Sequence, residues 1–484
     1  MYKDFRAGFL SLTNLLTNYP LVWKGNEIPN WLNGKYFRNG SGLYDLGEES
    51  YKHFFDGLAM IHAYEFQNGK ATYTNKFLNS KDYQKSTSEK KIAYTEFAST
   101  PERNLFQKIW VTLHPSQQFG DNASINFMDL AHELVAISDV PVPMEIDFAT
   151  TNTVGEFTYT DSLNLVINSP HPQYDSIAKE NINFGIELSV FGPQYVIFKI
   201  KDGTRERVPI CKIPTLHASY MHSFIVSENY IILTEHPLVL DLLTLVSMGM
   251  TGASLIQAFH WKAELGTTFL VVEKTTGKLA GKFKVDPFFT FHHVNAFEKD
   301  GELLVDLSTY PNMDVIDKFY LSQIFSPNGG NIPAGELRRY SLNLSKKTSS
   351  YKVLSNQGFE MPIINPDFFT LPYQFTYGVS CNPQKPNDFN NQIIKIDVNS
   401  GKYITWFEEG TYPTEPVFVK NPNSRKEDAG VCLSVVLDAK NQNSFLLVLD
   451  AESFTEIARA TIPHLIPFGF HGIFAQASEF RKKN

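Results

Sequence analysis

The sequence predicts an all-β chain closed into a β-propeller, on three observations. Short runs rich in Val, Ile, Leu and aromatic residues recur from about residue 130 onward, each bounded by turn residues. The turns carry Lys201-Asp-Gly203, Thr276-Gly277, Asp300-Gly301, Asn399-Ser-Gly401 and Asn441-Gln-Asn443, chemistry that reverses a chain within a few residues. No low-complexity linker divides the 484 residues, and radial closure leaves so many short strands few exposed edges. No repeat of fixed length stands out, so periodicity does not set the number of blades.

Taken in order, Asn18 to Gly42 mixes Pro, Gly and Asn with short apolar runs and ends in Gly34-Lys-Tyr-Phe-Arg-Asn-Gly-Ser-Gly42. This is turn chemistry without phosphate-loop spacing. The next segment, His53-Phe-Phe-Asp-Gly-Leu-Ala-Met-Ile-His-Ala-Tyr-Glu65, reads as an Asp-Gly turn feeding a strand, with His53 and His62 metal-ligand candidates by type alone. Strands are expected at Leu134–Ile137, Leu163–Ile167, Tyr195–Ile200, Tyr230–Leu233, Thr268–Glu273, Glu302–Leu307, Gln392–Val398, Val431–Leu437 and Phe445–Leu449. Pro237 to Trp261 breaks the pattern: it is apolar for some twenty residues, yet holds Asp241, Gln257 and two glycines. A helical insertion is expected there, either packed on the domain or lying in a membrane interface through Leu238, Leu240, Leu242, Leu243 and Leu245.

Composition narrows the function. A net charge of −8 and the lack of a basic arm argue against a nucleic-acid partner. Three cysteines (Cys211, Cys381, Cys432) without CxxC spacing argue against a disulfide framework and a thiolate metal site. Met1-Tyr-Lys-Asp-Phe-Arg-Ala-Gly8 lacks the layout of a secretory signal, so a cytoplasmic location is expected. With 39 Phe and 22 Tyr there is enough aromatic surface for the core and for a pocket that takes a long apolar ligand.

Four segments place a histidine in or beside a strand: Asn168-Ser-Pro-His-Pro-Gln-Tyr-Asp175, Ser219-Tyr-Met-His-Ser-Phe224, Thr290-Phe-His-His-Val-Asn-Ala296 and Pro467-Phe-Gly-Phe-His-Gly-Ile473. They supply His171, His222, His292 and His471. Strand alternation lets only one of His292 and His293 point inward, toward either a metal or a backbone carbonyl. These histidines lie far apart in sequence, so any shared ion must be assembled by tertiary structure, and a propeller axis offers such a place. Four neutral imidazoles suit Fe, Zn, Cu or Ni; around an octahedral ion they leave two positions open, as dioxygen or substrate chemistry requires. A ligating imidazole commonly donates its other nitrogen to a carboxylate, and Glu360 and Glu415 are candidates for that role.

These segments resemble the carotenoid cleavage oxygenase family, whose members cleave carotenoids, apocarotenoids and stilbenes or isomerise retinoids. The likeness also runs through Asn30-Trp-Leu-Asn-Gly-Lys-Tyr-Phe-Arg-Asn-Gly-Ser-Gly42, Phe55-Asp-Gly-Leu-Ala-Met-Ile-His62, Glu336-Leu-Arg-Arg-Tyr340 and Pro372-Tyr-Gln-Phe-Thr-Tyr-Gly378, covering nearly the whole chain. The resemblance implies one seven-bladed propeller over residues 1–484 with a helical and loop cap, and Fe(II) held by His171, His222, His292 and His471. It implies supporting acids at Glu360 and Glu415, with the third at Asp139, one methylene shorter; His171-Pro-Gln173 stands where the family has His-Pro-His. It further implies dioxygenase cleavage of a carotenoid or apocarotenoid C=C bond, and segment 237–261 as a membrane-facing patch at the tunnel mouth. Phe289, Phe291, Tyr373, Phe375 and Phe468 are the expected tunnel aromatics. Stilbene cleavage, retinoid isomerohydrolysis and a carotenoid- or retinoid-binding protein without turnover are the alternatives.

Overall fold

The computed structural model describes residues 2–114, 117–327, 329–385 and 388–480. Seven antiparallel sheets of at least four strands form the blades of a propeller. Blade 2 runs from Asn126–Leu130 to Thr153–Glu156, blade 3 from Ile167–Asn168 to Val208–Pro214, and blade 4 from Ile225–Val226 to Leu279–Val285. Blade 5 runs from His293–Lys299 to Thr348–Gly358 and blade 6 from Glu360–Ile363 to Tyr403–Phe407. The two ends of the chain build blades 1 and 7 between them. Gly472–Ala475 pairs with Gly34–Arg38 to complete blade 1, and Trp23–Gly25 pairs with Glu456–Ile462 to complete blade 7. The ring is thereby clasped on both sides of its seam, and the edges that an open sheet would expose are paired.

Runs such as Ile231-Ile232-Leu233 against Val271-Val272 form the blade interiors, where β-branched side chains suit a surface buried on both faces. The Asn68-Gly69 and Asp300-Gly301 turns hold both residues at positive φ (51° and 76°; 53° and 79°), the conformation a two-residue hairpin demands. One expected strand is corrected: of Leu163–Ile167 only Ile167 joins a ladder. The preceding backbone bonds instead to a side chain, with Arg207 Nη2 donating to the Leu163 carbonyl over 2.7 Å while the guanidinium grips Asp161.

Segment 237–261 is also not one helix. Leu238–Leu240 and Phe259–Trp261 pair as a two-stranded ribbon around a helix at Leu242–Thr251. Helices before it are α1 (Lys81–Glu89) and α2 (Leu105–Leu113), so this one is α3. Asp241 caps its first turn by accepting from the Leu243 N–H, and Gly252 closes it at φ +76°. Leu238 is 0% exposed and Leu240 is buried, which removes both from the expected membrane patch; Leu242 and Leu245 are half-buried against the core. Leu243, at 78% exposure, is the member that faces solvent. α3 lies directly on α2 because Gly249 has no side chain: a Cβ there would stand 2.5 Å from Thr112 Oγ1. No helix among the described residues is long and apolar enough to cross a membrane.

His53 caps a short helical turn by accepting from the Phe55 N–H, and its Nε2 meets the Ile316 carbonyl at 2.9 Å. Burial holds this imidazole at about 4 and that of His236 at about 3. Both values lie below the unfolded value of about 6.5, so below that pH the unfolded chain binds protons that the fold refuses. Asp56, raised by burial to about 6, acts in the opposite sense and offsets one of them. His293, held by burial at about 3, and His464, at about 4, add to the first effect, so stability is expected to fall as the pH drops from about 6 to 4. Melting temperatures across that range check this; a flat profile would contradict it.

Candidate metal centre

Each blade delivers one chemistry-bearing side chain to the axis, from at or beside its innermost strands. His171 follows Ile167–Asn168 in blade 3, His222 precedes Ile225–Val226 in blade 4, and His292 precedes His293–Lys299 in blade 5. His471 precedes Gly472–Ala475 in blade 1. Glu360 opens blade 6, Glu415 lies between Thr411–Pro413 and Val417–Lys420 in blade 7, and Asp139 follows Glu133–Ile137 in blade 2.

One ligand nitrogen from each of the four histidines lies within 4.8 Å of all the others. His171 Nε2 is 3.1 Å from His222 Nε2, and His292 Nε2 is 3.2 Å from His471 Nε2. A metal–imidazole bond of about 2.1 Å would put neighbouring nitrogens of an octahedral ion about 3 Å apart and opposite ones about 4.2 Å apart, so the set fits such an ion. Burial, reinforced by His471 and His222, pushes His171 well below its ordinary value; burial also lowers His292, against the pull of Glu360. Both are neutral at pH 7, the form that binds metal.

Carboxylates orient two of the rings at short range. His292 Nδ1 meets Glu360 Oε2 at 2.6 Å and His471 Nδ1 meets Glu415 Oε1 at 2.7 Å. Glu360 is itself held by the Tyr310 hydroxyl (2.9 Å) and the Met361 N–H (2.8 Å), and Glu415 by the Gly472 N–H (2.8 Å). Met361 takes φ +50° to make its bond, a left-handed turn that a non-glycine residue adopts only when its surroundings enforce it. Asp139 Oδ1 stops 3.4 Å from His222 Nδ1. Among the described residues no carboxylate meets His171, whose backbone is pinned by Ser169 Oγ and Gln173 Nε2.

His293 and His62 have structural partners instead. His293 points away from the axis, between Ser223 Oγ (2.8 Å) and Thr234 Oγ1 (2.7 Å), as strand alternation requires. His62 bonds the Tyr73 hydroxyl at 2.8 Å.

A cavity of about 110 Å³ borders His222, His292, His471, Asp139, Glu360 and Glu415. Phe291 and Phe468 line it, as expected from the sequence. Phe289, Tyr373 and Phe375 stand elsewhere: Phe289 packs on His236 (4.7 Å), Phe375 lies under Lys395, and the Tyr373 hydroxyl is spent on Asp306. Sequence reasoning missed Phe54, Phe55, Tyr310, Phe319, Phe359, Phe389 and Phe470, which supply most of the aromatic wall. Phe55, Phe359 and Phe470 did lie in segments that carry the resemblance, and Phe54 directly before one of them; the others carried no local signal.

The family model described as retinal pigment epithelial membrane protein matches residues 13–476. The chain belongs to the carotenoid cleavage oxygenase family. Relatives in that family include the beta,beta-carotene 15,15'-dioxygenase of Gallus gallus, 30% identical over 93% of this chain and 94% of that protein. The carotenoid isomerooxygenase of Galleria mellonella is 31% identical, covering 93% and 92% respectively. In fold, the chain superposes on cobalt-substituted Synechocystis ACO with a TM-score of 0.87 at 23% identity, over 98% of this chain and 99% of that one.

Proposed function

We propose that this member of the family is a non-haem Fe(II) dioxygenase that cleaves a conjugated C=C bond of a carotenoid or apocarotenoid into two carbonyl products. The observation that carries the reading is four imidazoles converging at one point beside an aromatic-walled cavity. His171, His222, His292 and His471 would hold the ion, which supplies dioxygen activation when bound. Glu360 and Glu415 keep Nδ1 of their histidines protonated and so leave Nε2 bare toward the centre. Phe54, Phe55, Phe291, Phe359, Phe468 and Phe470 exclude water and offer π-faces that hold a polyene and favour developing positive charge.

The test is to load the purified protein with Fe(II), present detergent-dispersed β-carotene, an apocarotenal and resveratrol separately under air, and identify products by mass. Aldehyde products from a carotenoid are expected. No product from any of the three, with iron bound, overturns the reading.

The substrate is apolar enough to reside in a bilayer, and the surface offers a match for one. α2 and α3 present Leu105, Phe106 (84% exposed), Ile109, Trp110, Leu113, Leu243, Val246 and Met250 to solvent as neighbouring helices. They connect to the cavity wall: the Phe97 carbonyl accepts from Ile256, just beyond α3, and the Phe97 ring meets Phe55 at 5.2 Å. Peripheral docking of this face is our reading, with each inserted side chain contributing roughly 1.5–3 kcal/mol. A Phe106→Asp/Leu243→Asp variant is expected to lose at least about tenfold in vesicle binding by flotation. Equal flotation of variant and parent removes the proposal.

A further inference from the structure

Three imidazoles of the cluster face a carboxylate, but not at equal reach. Glu360 and Glu415 close on His292 and His471 at 2.6 and 2.7 Å, whereas Asp139 Oδ1 stands 3.4 Å from His222 Nδ1, too far for a closed charge-assisted bond. That oxygen is buried and takes no hydrogen bond among the described residues. The hydroxyl of Tyr220 lies beside this pair. It donates to Asp139 Oδ2 over 3.1 Å and lies 3.5 Å from His222 Nδ1. Tyr220 sits two residues before His222 with its ring inclined only 29° to the imidazole, and it is held in place by Phe97 and Phe259.

We propose that Tyr220 is a positioning residue for His222: its hydroxyl fixes Asp139 through Oδ2 and, together with Asp139 Oδ1, faces the imidazole Nδ1–H at comparable long reach (3.5 and 3.4 Å), so that hydroxyl and carboxylate together do what one glutamate does for His292 and for His471. A hydroxyl suits this place because it carries one donor and two lone pairs and can serve both neighbours at once. The link selects the tautomer with a protonated Nδ1 and a bare Nε2 facing His171. A phenylalanine would fill the same space but leave Asp139 Oδ2 without a partner and His222 Nδ1 facing only the distant Asp139 Oδ1. The inference rests on the reading that these histidines hold a metal ion.

The test uses Tyr220→Phe, Asp139→Asn, Asp139→Glu and the Asp139→Glu/Tyr220→Phe pair in the full chain. Each is stripped of metal and titrated with Co(II) alone, read by its visible absorption and by chelator competition, with the melting temperature of the metal-free protein reporting the fold. Losing an outer partner of a ligating histidine weakens metal binding by about 10–100-fold, and this is expected for Tyr220→Phe and Asp139→Asn, with an altered Co(II) absorption band. The longer carboxylate reaches His222 directly, so the double variant is expected to recover most of the lost affinity. Parental affinity and absorption in Tyr220→Phe overturn the proposal, since they would mean that Tyr220 only fills space; an equal loss in the double variant also overturns it, since a carboxylate that reaches His222 would then fail to replace the link through Tyr220. A parent protein that takes up no Co(II) overturns the metal-site reading itself.

Discussion

Replacing His292 with alanine is expected to abolish metal binding and turnover together. The substitution removes one of four nitrogens gathered within 4.8 Å and also strips Glu360 of its 2.6 Å partner. Glu360 would keep the Tyr310 hydroxyl and the Met361 N–H, so the wall of the site stays assembled while the centre fails. Affinity for Fe(II) or Co(II) is expected to fall by more than the about 10–100-fold that follows loss of a supporting carboxylate, with Glu360→Gln landing inside that interval. Metal content after dialysis and chelator competition measure both. A His292→Ala protein retaining metal at the parental stoichiometry would show that the ion is held elsewhere.

The second large effect concerns stability. Asp306 in blade 5 is fully buried and accepts three bonds: Arg339 Nε at 2.7 Å, Arg339 Nη2 at 2.6 Å and the Tyr373 hydroxyl at 2.5 Å. Arg339 also lies over the Phe297 ring at 5.1 Å. Asp306→Ala leaves a guanidinium that cannot lose its charge in an apolar wall, which costs about 3–5 kcal/mol. Tyr373→Phe removes one bond to a charged group, about 1.5–3 kcal/mol. Asp306→Leu/Arg339→Met, which deletes both charges, is expected to be markedly more stable than Asp306→Ala. Urea midpoints order the three variants, and metal content should match the parent in all of them. An Asp306→Ala midpoint equal to that of the parent would refute the account.

The same blade shows where reading the sequence stops. Tyr373 was expected in the tunnel because it is aromatic and lies near the histidine segments; whether a ring faces a cavity or a neighbouring sheet depends on residues from another strand, here Asp306. Phe289 and Phe291 differ for a related reason. Period-two alternation would put them on one face, but regular strand begins only at His293, so Phe289 turns to His236 while Phe291 reaches the cavity. At the point where the strand begins the alternation takes hold, and His293 points opposite to His292.

Segment 237–261 failed differently. Its apolar run suited a helix or a membrane surface, and hydropathy does not distinguish a leucine paired in a ribbon from one on an exposed turn. The pairing of Leu238–Leu240 with Phe259–Trp261 buried two of the five leucines and left Leu243 outside. The α2 face, more apolar at its surface than α3, drew no attention because nine residues are too few to mark a patch by composition.

By itself the sequence determined the fold class and the residue types available for chemistry. Alternation, β-branched runs and turn dipeptides act over a few bonds, and a histidine carries its ligand atom wherever it is placed. The blade count, which periodicity did not set, came through the resemblance; only the tertiary structure decided which aromatics wall the cavity, and that Tyr220 stands beside Asp139 and His222. Those outcomes depend on strands hundreds of residues apart meeting around an axis, and such meetings are set by packing between blades, which no local pattern encodes.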